Sequence, residues 1–195
     1  MSRAALVRRA SDGGTTAYRA NPAHPVARIF KELLSVPAVQ PADDRVKRRP
    51  LGKTGIQASV MIYGCGGTKT EHLPLLKTAF ERGVTTFDVA WGYQGGQAEV
   101  AVGKFVKEMN NRKDVCIITK TTGFRPRGSA KEIYTALRAG LDKSLERLQM
   151  DYVVVLYCPH GATDPKQFDD KALTDALLKL KEEKLVRHLG ASSHT

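Results

Sequence analysis

The stretch TTFDVAWGYQGGQAE, residues 85–99, decides how this chain is read. It opens as a short strand, Thr85-Thr86-Phe87, and places Asp88 where the apolar run stops. Tyr93 follows five residues later, then the pair Gly95-Gly96, then Glu99 at the start of a helical pattern. A strand that ends on an acid, with a phenol in the turn beyond it, has two readings. It is an ordinary strand-to-helix turn, or two titratable groups are aimed at one point. The surrounding sequence bears on the choice.

Working outward, the same strand-then-helix unit recurs. Strands are expected at 59–64 (SVMIYG), 84–90 (VTTFDVA), 115–121 (VCIITKT), 152–158 (YVVVLYC) and 186–192 (VRHLGAS). Helices with apolar residues at i, i+3, i+4 and i+7 are expected between them, at 71–83, 97–110, 129–150 and 170–184. Short strands apolar on both faces, alternating with amphipathic helices, mean crossover units and a parallel sheet. Gly83 suits a left-handed helix stop, and SAKE (129–132) has capping-box spacing.

Two parallel architectures compete. A doubly wound dinucleotide fold carries G-x-G-x-x-G after its first strand, whereas YGCGGTKTEH supplies Gly64, Gly66 and Gly67 without the third glycine. A (β/α) barrel places polar residues at the carboxyl ends of successive strands, all facing one mouth. Here the ends carry Asp88, Lys120, His160, and Ser192-Ser193-His194. The pattern predicts an α/β fold of the TIM-barrel type, cut to about five β/α units.

The length, 195 residues with 42% hydrophobic content, suits one buried core. No apolar run reaches the roughly 18 residues that span a bilayer, so no membrane partner is expected. The net charge of +11 is uneven: residues 1–49 hold 10 Lys and Arg against 4 Asp and Glu. No basic stripe interleaved with aromatics is present, which argues against nucleic acid. Residues 1–48 read as a basic extension, with a short amphipathic helix at 26–34 and a linker at 35–44, ahead of a barrel-like region at 49–195. Cys65, Cys116 and Cys158 are distant from one another, lie in apolar strands and have no metal-ligand spacing, as expected of reduced thiols in a cytoplasmic protein. Trp91 and Phe124 fall on the mouth loops.

An ammonium at the end of an apolar strand is costly without a carboxylate partner, and Asp88 on the neighbouring strand is the natural one for Lys120. A cation beside a phenol favours the phenolate and so eases proton donation. Tyr93 could therefore give a proton to a developing alkoxide and reclaim it, with an imidazole orienting the carbonyl. That chemistry needs a hydride, which no side chain supplies, so a nicotinamide cofactor is implied. A purely structural ion pair between Asp88 and Lys120 is the alternative reading.

The residues from about 49 to 195 resemble the first part of an aldo/keto reductase. RRPLGKTGIQAS is similar to the hairpin that family sets before its barrel. FDVAWGYQGGQAEVAVGK is similar to its signature, with Asp88, Tyr93, Glu99 and Gly103 at matching spacing. IITKT carries Lys120, and GASSH resembles the fifth strand end. The resemblance implies NADP(H)-linked reduction of an aldehyde or ketone, with Tyr93 as acid, Lys120 and Asp88 tuning it, His160 binding the carbonyl, and Ser192, Ser193 and Asp88 holding the nicotinamide end. Pro159 stands where the family's histidine falls and His160 one place later, so His160 either reaches the mouth through a bulge or belongs to a surface loop. With five strands rather than eight, weak NADPH binding and self-association through open barrel edges are expected. The alternative is a non-catalytic relative acting as a binding or interaction module.

Overall fold

The structure, a computed structural model, describes residues 7–12, 15–20, 45–121 and 127–193. The helix expected at 26–34, the linker at 35–44, Phe124 and His194 lie outside the described residues. The chain divides into two units, Met1–Asp44 and Arg45–Thr195. In the first, β1 (Val7–Asp12) and β2 (Thr15–Ala20) pair antiparallel, Val7 opposite Ala20 and Asp12 opposite Thr15. No strand is expected from the Arg- and Ala-rich composition of that stretch. The signal was the Gly13-Gly14 pair between two six-residue runs, a composition that suits a two-residue hairpin turn.

In the second unit, β3 (Arg48–Pro50) and β4 (Gln57–Ser59) form the antiparallel hairpin that the sequence resemblance implies. Five parallel strands follow in sequential order: β5 (Ile62–Gly64), β6 (Thr86–Asp88), β7 (Cys116–Lys120), β8 (Val153–Tyr157) and β9 (Val186–Gly190). Four helices connect them: α1 (Leu73–Glu81), α2 (Gln97–Met109), α3 (Ala130–Leu148) and α4 (Lys171–Glu182). The strand order and the intervening helices are those expected of a (β/α) barrel, and the described strands leave it unclosed between β9 and β5.

The first expected strand, 59–64, is two pieces rather than one. Ser59 makes the corner: its Oγ donates to the Met61 carbonyl (2.6 Å) and accepts from the Thr85 and Thr86 amides (3.0 and 3.1 Å). The chain therefore bends at Val60–Met61, and Val60, Met61 and Ile62 stay half exposed on the edge of the sheet. Helix ends follow local chemistry. Ser129 Oγ accepts from the Glu132 amide while Glu132 Oε2 accepts from the Ser129 amide, so the capping box at α3 is formed. Gly83, at φ +93°, ends α1 where a Cβ would sit 2.9 Å from the Val46 backbone.

Register sorts the strands into two faces. Phe87 with Ile117, and Leu156 with Leu189, are register partners on one face and pack with Leu76, Phe105 and Leu141 of the helices. Asp88, Ile118 and Lys120 lie on the other, in register with Val155, Tyr157 and Gly190. This second face is the barrel interior, covered at its lower end by Ile56 of the hairpin. No helix among the described residues is long and apolar enough to cross a membrane.

Candidate active site

Asp88 and Lys120 occupy the last positions of adjacent strands on the interior face. Lys120 is 5% exposed and its Nζ pairs with Asp88 Oδ1 and donates to the Val89 carbonyl at 2.9 Å. The carboxylate is 23% exposed, so water reaches it from the mouth. Lys120 Nζ also stands 4.9 Å from the centroid of the Tyr93 ring, within cation–π range. The ammonium is thus held from three sides, one of them the face of the Tyr93 ring.

The turn that carries Tyr93 has unusual backbone. Gln94, Gly95 and Gly96 all have left-handed φ, +51°, +62° and +93°. Glycine takes that conformation freely; Gln94 does so at a cost of about 1 kcal/mol. Its side chain offsets this by donating from Nε2 to the Gly66 carbonyl, 3.0 Å, in the loop after β5. Gly96 is required twice, since a Cβ there would lie 2.8 Å from the Arg147 guanidinium carbon.

That arginine is the partner the sequence reading missed. Glu99 is fully buried and accepts from Thr119 Oγ1 at 2.8 Å and from Arg147 Nη1 at 3.1 Å, while the same Nη1 donates to the Trp91 carbonyl. Gly103 lets α2 approach the end of α3, where a Cβ would meet the Leu148 carbonyl oxygen at 2.5 Å. The signature therefore divides. Asp88 and Tyr93 face the mouth, whereas Glu99 and Gly103 fasten α2 to β7 and α3 and thereby fix the turn between. Trp91 itself is exposed on the loop.

Tyr157 was also missed, although strand parity could have found it: it ends β8 on the same face as Lys120, its register partner. Burial, then the negative charge of Asp88, holds its hydroxyl above the usual tyrosine range. Its ring lies against Gly190, where a Cβ would sit 2.8 Å away. Beneath the site, Cys65 is buried beside Asp88, and burial followed by that charge pushes its thiol up to about 12. Cys116 and Cys158 are likewise buried and free, raised by burial to about 11.

His160 lies just beyond β8, where the chain is stitched to the segment after β9. The Ser192 amide donates to the Pro159 carbonyl, and the Ala162 amide donates to the Ser192 carbonyl. Ser192 Oγ accepts from the Gly161 amide at 2.9 Å and sits 2.7 Å from His160 Nδ1. Ser193 Oγ donates to the Ala162 carbonyl at 2.9 Å. Direct contacts therefore tie Asp88, Lys120 and Tyr93 together, and direct contacts tie His160 to Ser192.

A strand-end acid and lysine under a tyrosine, on successive strands of a parallel α/β sheet, define a class. The sequence profile of the Aldo/keto reductase family matches residues 64–195, and the chain belongs to that family. It is 32% identical over 155 residues to the uncharacterized oxidoreductase YqkF of Bacillus subtilis, covering 76% of this chain and 49% of that protein. It is 31% identical to L-galactose dehydrogenase of Arabidopsis thaliana, over 75% of this chain and 48% of that one. Its fold is similar to the holo form of aldo-keto reductase AKR11C1 from Bacillus halodurans, with a TM-score of 0.62 and 31% identity over 76% of this chain and 51% of that one. An aldo-keto reductase from Klebsiella pneumoniae in complex with NADPH matches with a TM-score of 0.60 and 25% identity, covering 76% of this chain and 50% of that one. The chain spans about half the length of the curated relatives it matches.

Proposed function

We propose that this chain carries the proton-transfer half of an NADP(H)-dependent carbonyl reductase site, in which an aldehyde or ketone is reduced to an alcohol. The observation that carries the reading is the buried Lys120 ammonium, paired with Asp88 and lying over the Tyr93 ring. Reduction builds negative charge on the carbonyl oxygen, and Tyr93 supplies the proton that quenches it. The ammonium stabilises the phenolate left behind, and Asp88 holds that ammonium in place. Tyr157, held protonated by burial and by Asp88, is set apart from this role.

His160 orients the carbonyl oxygen in this reading. If Ser192 Oγ gives its proton to Nδ1 while accepting from Gly161, the imidazole carries its own proton on Nε2, where it serves as a donor. Ser192 then retains one acceptor position, which fits an amide group. These acceptor oxygens suit the amide nitrogen of a nicotinamide's carboxamide, with Ser192, Ser193 and Asp88 as its contacts. A reduced nicotinamide bound there supplies the hydride. The Klebsiella relative's complex with NADPH supports the phosphorylated form of the cofactor.

Tyr93→Phe removes the acid and leaves the ring over which Lys120 sits. Carbonyl reduction, assayed as NADPH oxidation, is expected to fall by about 10²–10⁴-fold. Activity within a factor of about three of the parent would remove Tyr93 from the role. The half-exposed edge residues Val60, Met61 and Ile62 favour a second reading that concerns assembly: these edges pair with further β structure, in a second copy or in another half-barrel.

A further inference from the structure

The turn that carries Tyr93 does not hold its own shape. Gln94, Gly95 and Gly96 are left-handed in succession, and the bonds inside the turn are long: Tyr93 amide to Ala90 carbonyl at 3.1 Å, Gly95 amide to Gly92 carbonyl at 3.2 Å. Where the phenol stands is therefore set from outside. Toward β5, Gln94 Nε2 donates to the Gly66 carbonyl. On the other side, Arg147 Nη1 donates to the Trp91 carbonyl at 3.1 Å. The arginine lies flush against the turn, since a Cβ on Gly96 would meet three of its guanidinium atoms at 2.8 to 3.0 Å.

The same Nη1 donates to Glu99 Oε2 at 3.1 Å, and Glu99 Oε1 accepts from Thr119 Oγ1 at 2.8 Å. Successive side chains on a strand point to opposite faces, so Thr119 faces the helices from directly beside Lys120, which faces the mouth. Three hydrogen bonds in series thus run from the strand that carries Lys120, through α2 and α3, to the turn that carries Tyr93. Glu99 and Thr119 are both fully buried. For packing alone an ion pair here is a poor choice, because apolar side chains of similar volume often replace a buried pair without loss. What the pair adds is geometry: hydrogen bonds fix distance and angle at both ends of the series.

We propose that Glu99 and Arg147 are positioning residues for the proton transfer, a role that rests on Tyr93 being the acid. They set the spacing of Lys120 and Tyr93 by gripping Thr119 beside the first and the Trp91 carbonyl beside the second. Neither touches the reacting atoms. A misplacement of about 1 Å at a reacting group costs on the order of 10²-fold in rate, so loosening the series should lower kcat and leave KM nearly unchanged.

Lys120 supplies a signature that needs no turnover. Its Nζ stands 4.9 Å from the centre of the Tyr93 ring, so the ring current displaces the neighbouring ε-methylene resonances upfield. The test is NMR of the full chain with labelled lysine. Tyr93→Phe keeps the ring and should keep the displacement, whereas Tyr93→Leu should abolish it and so assigns the signal. Glu99→Gln combined with Arg147→Met removes both charges together, leaving no carboxylate buried alone, and should lose most of the displacement. Glu99→Gln by itself keeps the shape but offers one acceptor oxygen in place of two, so it should show the same change in smaller measure. Arg147→Lys, whose ammonium can donate to both acceptors as Nη1 does, should restore it. Amide exchange separates positioning from loss of fold. In the double variant the Tyr93 and Gly95 amides should exchange about ten-fold faster or more, while the Cys116 amide, bonded to the Thr85 carbonyl at the far end of β7, keeps the parent's rate. A parent-like displacement in the double variant would overturn the proposal. So would equal acceleration at Tyr93, Gly95 and Cys116, which would make the pair a general support of the fold. Whether Tyr93 is the acid is judged separately, by NADPH oxidation in Tyr93→Phe, where the Lys120 signal stays in place whichever way that assay falls.

Discussion

Replacing Asp88 by Asn tests the ion pair at the mouth more sharply than replacing Lys120 by Met, because the two groups are unequally buried. Lys120 is 5% exposed and the Asp88 side chain 23%. Asp88→Asn strands the more deeply buried charge, leaving the ammonium with only the Val89 carbonyl and the Tyr93 ring face. Breaking a buried pair in this way costs about 3–5 kcal/mol. A ceiling comes from discharge: an ordinary ammonium gives up its proton at pH 7 for about 4.6 kcal/mol, since it titrates near 10.4. Lys120→Met instead strands a carboxylate that water already reaches, and an unmade hydrogen bond to the Val89 carbonyl, for about 1–3 kcal/mol. Urea unfolding of the parent, both single variants and the double variant measures this directly. The expected order is Asp88→Asn worse than Lys120→Met by about 1 kcal/mol or more, with the double variant costing less than the sum of the singles. Equal and small losses, below about 0.5 kcal/mol in both, would place the pair in solvent and refute the reasoning.

Gly103→Ala drives a methyl group to within 2.5 Å of the Leu148 carbonyl oxygen, and is expected to destabilise by about 3 kcal/mol or more, read as a lowered urea midpoint. Stability should also fall as pH rises above 9.0, because thiols ionise first in the unfolded chain while the folded ones hold their protons to about 11 or 12. Each buried thiol adds up to about 1.4 kcal/mol per pH unit to that loss, so Cys65→Ala should flatten the decline between pH 9 and 10, and an unchanged slope would contradict its burial. NADPH is expected to stabilise the chain weakly, because the contacts proposed for Ser192, Ser193 and Asp88 involve only the nicotinamide end. A thermal shift saturating at micromolar cofactor, worth about 2.7 kcal/mol at 100 times the dissociation constant, would show that more of the dinucleotide is held.

The sequence by itself determined the order of strands and helices, the barrel-type parallel sheet, and the pairing of Asp88 with Lys120. These depend on periodicity and on where apolar runs stop, both of which are local. The strand-end position of Asp88 and Lys120 needs only the count along each strand. The tertiary structure decided what Glu99 does, because its partners Thr119 and Arg147 lie 20 and 48 residues away and only chain crossing brings them together. It likewise joined His160 to Ser192 across 32 residues, and placed Tyr157 on the interior face beside Asp88. The bend at Ser59 was hidden because the run VMIYG that follows it reads as one continuous strand, and the hydrogen bonds that fix the corner come from the distant Thr85 and Thr86 amides. Helix and strand patterns are written in neighbours along the chain. Buried charges are settled by neighbours in space, because an ammonium or carboxylate removed from water takes the nearest partner the fold presents.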